Sequence, residues 1–142
     1  MAVVVTKYDH LWSLFGRGAI NLSSDTIKVA LVTSSYTPSI SHTAWADVSA
    51  NEVTSGNGYT TGGITLANPT ITAGKADFDD VTWTALTKSF RYAVCYLSAT
   101  RLTIVNPLLF YMLLDSTPQD VVSSGSNYKI EWSATNGVFY RP

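Results

Sequence analysis

Residues 78–97, FDDVTWTALTKSFRYAVCYL, constrain the fold of this chain more than any other stretch. Successive side chains of a strand point to opposite faces. An extended backbone therefore puts Phe90, Tyr92, Val94 and Tyr96 on one side and Arg91, Ala93, Cys95 and Leu97 on the other. Aromatic and β-branched residues suit a pleated, half-buried surface. Apolar residues on both sides predict a central position in a sheet. Just upstream, Val81, Thr82 and Trp83 read as a second, short strand, with Asp79 and Asp80 as turn residues at its entrance.

Two further stretches carry the same signal. In residues 26–33, Ile27, Val29 and Leu31 alternate with Lys28, Ala30 and Val32. Residues 108–114, LLFYMLL, form an apolar run bounded by Pro107 and Asp115, too short for a helix and suited to a buried strand. Tyr128, Ile130 and Trp132 alternate with Lys129 and Glu131, a half-exposed strand, and Asn136–Gly137 predicts a hairpin turn into residues 138–140. Residues 64–66 and 70–72 read as short strands parted by Pro69, residues 102–105 as a strand extension, and residues 116–126 as a polar loop. Residues 2–5 read as an arm or edge strand. One helix is expected, over residues 7–15, where Tyr8, Leu11, Trp12 and Phe15 share a helical face. Thr6 and Asp9 echo a capping box, and Gly16 and Gly18 provide the stop. A parallel sheet would need helices between its strands. The expectation is an all-β chain: an antiparallel β-sandwich, jelly-roll-like or Ig-like, over residues 18–142, preceded by an N-terminal arm and helix over residues 1–17.

Residues 36–63 interrupt this pattern. They are rich in Gly, Ser, Thr and Asn and read as one long ordered connection, with one or two helical turns over residues 45–52. Loops of this length in a compact domain are usually functional. Its apolar members need burial, either against the chain's own sheet or against a partner. Aromatic residues dominate the energetic centres of interfaces. The residues expected at such an interface are Tyr8, Trp12, Ile40, Trp45, Val48 and Tyr59.

Composition narrows the function. Charged residues make up 13% of the chain and the net charge is −1, which leaves no basic patch for a nucleic-acid backbone. No apolar stretch is long enough for a membrane-spanning helix, and the N-terminus lacks a secretory cleavage pattern, so folding in a cytoplasm is expected. The lone Cys95 reads as a small buried apolar residue. His10 and His42 have no neighbours at metal-ligand spacing, and hydrolase and phosphate-binding motifs are missing. Asp77, Asp79 and Asp80 are the one carboxylate cluster. They lack the spacing of a calcium loop and read as turn caps. Glu52 and Glu131 could be paired as glycosidase carboxylates only if the fold joined them. No enzymatic activity, metal or cofactor is expected.

The ordered segments DTIKVALVTSSYTP, DVSANEV, GYTTGG, FDDVTWTALT, RYAVCYL and IEWSATNGVFY resemble a recurrent family of tailed-bacteriophage virion structural proteins, over residues 18–141. Residues 98–106 depart from that family's pattern, which has a shorter or more polar turn. The resemblance implies a non-enzymatic particle component, assembled into the virion in the host bacterial cytoplasm. The first reading is a capsid decoration (cement) protein, homo-oligomeric, that binds the outer face of the major capsid protein and stabilises the shell. The alternative is a tail or head-fibre component that binds a receptor or a host-surface glycan.

Overall fold

The computed structural model describes residues 4–140. The chain is all-β and its strand pairings are antiparallel. In order, the strands are β1 (Val4–Lys7), β2 (Ile27–Val32), β3 (Ile64–Thr65), β4 (Thr70–Thr72), β5 (Lys75–Asp77) and β6 (Val81–Phe90). They continue with β7 (Tyr92–Leu97), β8 (Thr100–Arg101), β9 (Ile104–Val105), β10 (Leu108–Leu113), β11 (Val121–Ile130) and β12 (Phe139–Tyr140). One short helix, α1 (Leu11–Gly16), follows β1.

The three stretches with the strongest alternation lie together. They form β10, β7 and β2 at the middle of a five-stranded sheet of order β1-β10-β7-β2-β3. β6 and β11 pair as a long ribbon, and β12, β5 and β4 form a small third sheet. One face of the five-stranded sheet presents Ile27, Val29, Leu31, Ala93, Cys95, Leu97, Phe110 and Met112. These pack against Trp83, Leu86 and Phe90 of β6, Ile130 of β11, Ala76 of β5 and Phe139 of β12. The other face presents Ala30, Val32, Val94, Tyr96 and Leu108, under Tyr8, Tyr36 and Val48. The sheet is thus covered on both faces, which is why its central strands read as apolar on both sides.

Five sequence expectations change, the smallest being that residues 102–105 are the tip and return strand of the β8–β9 hairpin and not a strand extension. The first is that Phe90 does not share a face with Tyr92, Val94 and Tyr96. It closes β6 and enters the core between the layers, on the side of Ala93 and Cys95. Arg91 lies between two strands and resets the alternation. Its amide donates to Val32, its carbonyl accepts from Leu114, and its guanidinium pairs with Asp120 at 2.9 Å. Second, β6 runs over ten residues rather than three, and its partner β11 begins at Val121, inside the segment expected to be a loop. β11 is rich in Ser because much of it faces solvent, and its register with β6 shifts around Gly125. Third, residues 138–140 do not return beside β11: Phe139 and Tyr140 pair with Ala76 and Lys75 of β5. Gly137 permits this because an added Cβ there would lie 2.6 Å from the Ala76 carbonyl oxygen.

The fourth change concerns the helix. Lys7 belongs to β1, and α1 starts only at Leu11, with His10 at its N-cap and no side-chain cap from Thr6 or Asp9. Its buried residues are Leu11 and Leu14, so Trp12 and Phe15 turn outward. The stop is as expected. Gly18, at φ +63°, ends a Schellman motif in which Ala19 donates to Leu14 and Gly18 to Phe15. The expected arm or edge strand over residues 2–5 lies partly outside the described residues; Val4 and Val5 begin edge strand β1.

Candidate interaction surface

The long segment 36–63 lies across the second face of the five-stranded sheet. Two 3-10 turns, Trp45–Asp47 and Ser49–Asn51, shape it. It also completes the β2 edge where β3 stops. Val53 donates to the Leu31 carbonyl at 3.0 Å, Thr33 to Asn51 at 2.9 Å, and the Leu31 amide donates to the Tyr59 hydroxyl at 3.1 Å. That hydroxyl donates in turn to Glu52 at 2.7 Å, and Glu52 also accepts the Gly62 amide at 2.6 Å. The Tyr96 hydroxyl donates to the Gly62 carbonyl at 2.7 Å. Gly63 brings the segment against β2 so closely that a Cβ there would sit 2.0 Å from the Val29 carbonyl oxygen.

These contacts set the titration of the segment. Burial, with Glu52 beside it, raises the Tyr59 phenol well above its ordinary range, and burial with Glu52 pushes Tyr96 up to about 12. Tyr8 is raised by burial and by its bond to Tyr36, 3.0 Å between hydroxyls; Tyr36 also meets His42 Nδ1 at 2.9 Å.

The six residues expected at an interface therefore divide. Tyr8, Val48 and Tyr59 are buried inside the chain. Trp45 is half-buried and stacks on Tyr96, with centroids 4.4 Å apart and 16° between planes. Ile40 is 46% exposed and Trp12 is 63% exposed. Only the last two present large apolar area to solvent, and Trp12 stands among others of its kind.

Around Trp12 the structure gathers residues that are distant in sequence. Trp12 and Phe15 of α1, Ile71 of β4, Phe139 and Tyr140 of β12 and Lys7 of β1 line an apolar groove of about 380 Å³. Ile71 is 48% and Tyr140 45% exposed. The Lys7 ammonium lies 5.3 Å from the Trp12 ring centroid and 5.8 Å from that of Tyr140, close enough for cation–π attraction to both. Phe15 meets Phe139 edge-on at 6.0 Å, which fixes the groove floor to the core. A second cavity of about 580 Å³ opens beside it, between β1 and the end of β11. Its walls include Val5, Phe110, Met112, Tyr128, Ile130 and Trp132. Lys7 and Tyr140 border both hollows.

Of the residues lining this groove, Trp12 was expected at an interface, and Phe15, Ile71 and Tyr140 were not. The helix starts only at Leu11, so Tyr8 is buried from the segment before it, while Trp12 and Phe15 are left facing outward.

The polar candidates are occupied structurally. The Asp80 carboxylate accepts the Trp132 amide at 2.9 Å and pairs with Lys129 at 3.0 Å, and these contacts hold its pKa below the ordinary carboxylate value. Asp79 accepts from Asn68, and Asp77 accepts the Phe78 amide. His10 Nε2 donates to the Leu108 carbonyl. Glu52 holds the long segment, while Glu131 is an exposed partner of Lys129. Among the described residues no three His, Cys, Asp or Glu side chains gather as a metal site, and no helix is long and apolar enough to cross a membrane. Comparison of the chain with known protein families, with curated proteins and with solved structures finds no match.

Proposed function

We propose that this protein is a non-enzymatic structural component of a tailed-bacteriophage particle, and that it works as a capsid decoration protein. The particle assignment rests on the ordered segments that resemble the virion family. The observation that carries a contact role is the Trp12 groove. Exposed apolar patches rimmed by polar residues mark protein contact sites, and Trp and Tyr are the residues most often at their energetic centres. The working part of the molecule is then a surface. Many copies, each burying apolar area at roughly 25 cal/mol per Å² against a shell, resist its expansion collectively. The major capsid protein is the partner this reading requires, and the host cytoplasm is where assembly takes place.

The test is a comparison of particles with and without the protein. A decoration role predicts that bare particles assemble but release DNA at lower temperature, and that added protein restores them. Bare particles that resist heat normally but fail to adsorb to cells would replace this reading with the fibre alternative. There the rings of Trp12 and Tyr140 would stack on a host-surface glycan.

A further inference from the structure

We propose that β1 is the edge through which two copies of the chain join, antiparallel across a two-fold axis, with the Trp12 groove closing over the junction. This names the partner at one side of the surface proposed above and rests on that surface being a contact site.

The two edges of the main sheet differ. At the far edge, β3 is only two residues long, and segment 36–63 takes up the β2 backbone beyond it. At the near edge, β1 pairs with β10 in unbroken register, Val4 with Leu113 through Lys7 with Phe110, and among the described strands nothing pairs with its other side. An unpaired strand offers a row of N–H and C=O groups to another chain, and natural edges are usually guarded by Pro, a bulge or charge. β1 has neither Pro nor bulge. Its one charge, Lys7, leans over the Trp12 and Tyr140 rings. Val4 and Val5 are exposed.

A second β1 fits this edge. A two-fold axis normal to the sheet sets one residue against its own copy. With Val5 on the axis, Val4 faces Thr6; with Thr6 on the axis, Val5 faces Lys7. Neither register puts Lys7 opposite Lys7, so the like-charge penalty across strands is avoided. Inward side chains of the added strand meet the cavity of about 580 Å³ beside β1.

The area also fits. Val4, Val5, Trp12, Phe15, Ile71 and Tyr140 are each between 36% and 63% exposed. With about 150–250 Å² for each aromatic side chain, and somewhat less for each aliphatic one, they show roughly 500–600 Å² of apolar surface. A stable interface buries about 800 Å² per partner, of which about 56–65% is apolar. The patch is the size that one side of such a dimer needs.

Cysteine placed at the axis reports the pairing directly. Facing residues of an antiparallel pair have Cα atoms about 4.5–5.5 Å apart, inside the disulfide range, and the native Cys95 is buried. The full chain carrying Val5→Cys or Thr6→Cys, oxidised mildly, should give a covalent dimer in one of the two variants. Val122→Cys, on exposed β11, should not. Sedimentation should show the unmodified protein as a dimer, and Trp12→Ala should weaken that dimer at least tenfold. A monomer at all concentrations overturns the proposal, as does a dimer that neither cysteine captures. If Trp12→Ala still abolishes particle binding in that case, the contact surface stands and its occupant is the capsid protein.

Discussion

Replacing Tyr59 by Phe removes one oxygen atom from the junction between segment 36–63 and the main sheet. The ring keeps its place in the core. Two hydrogen bonds are lost: the one given to Glu52 at 2.7 Å and the one taken from the Leu31 amide at 3.1 Å. β3 has ended by Leu31, and Leu31 is fully buried, so no neighbouring strand or solvent takes its place. A buried donor left without a partner costs about 1–3 kcal/mol. A cost near 2 kcal/mol in a chain of this size lowers Tm by roughly 4–8 °C. Glu52→Gln keeps an acceptor for the phenol and should cost less than half as much. Thermal unfolding followed by circular dichroism measures both. If Tyr59→Phe leaves Tm unchanged within about 1 °C, the segment is not held to β2 by this bond, and its description as the cover of the sheet edge fails.

Other outcomes follow from the same geometry. Leu102 and Thr103 form the tip of the β8–β9 hairpin at φ 49° and 68°, a left-handed conformation that opposes both side chains. Leu102→Asn with Thr103→Gly, the residues such a turn prefers, should stabilise the chain by about 1–2 kcal/mol in a denaturant titration; destabilisation would mean the tip contributes contacts that outweigh its strain. The folded state holds the protons of Tyr8, Tyr59 and Tyr96 more tightly than the unfolded chain, whose phenols titrate near 10.0. That stabilisation is complete below pH 10.0 and is lost as pH rises toward about 12, so the denaturation midpoint should fall over this window together with the appearance of tyrosinate absorbance. A midpoint that stays level through the window would place these hydroxyls in water. Cys95 is fully buried and burial raises its thiol pKa, so a thiol reagent should modify it only at the rate of unfolding. Fast modification of the native protein would contradict the core packing.

The fold was legible wherever alternation was dense. β2, β7 and β10 follow directly from the apolar runs at residues 27–32, 92–97 and 108–113, because a sheet covered on both faces needs apolar side chains at every position. Pattern failed where backbone geometry decides. Arg91 breaks the alternation without any turn residue beside it. β11 spans ten residues although Ser, Gly and Asn fill its middle, since β6 supplies the pairing and solvent takes the outer face. The cover formed by segment 36–63 depends on Gly63 approaching the Val29 carbonyl, a contact between residues far apart in sequence. The surface was half legible for the same reason. Periodicity puts Trp12 on one helical face with Leu11, yet Leu11 is buried and Trp12 is 63% exposed. Only the tertiary placement of Ile71 and Tyr140 beside it makes the groove.

In the proposed function, contacts to other chains are made at the Trp12 groove and not through Trp45. Binding of Trp12→Ala and Trp45→Ala to particles stripped of the protein, measured beside the Tm of each variant, separates the two sites. Trp12→Ala should bind at least tenfold more weakly with little change in Tm, since Trp12 is 63% exposed. Trp45→Ala should lose stability by about 1–3 kcal/mol through its stack on Tyr96 and bind normally once folded. Normal binding by Trp12→Ala, with weakened binding by a fully folded Trp45→Ala, would contradict it.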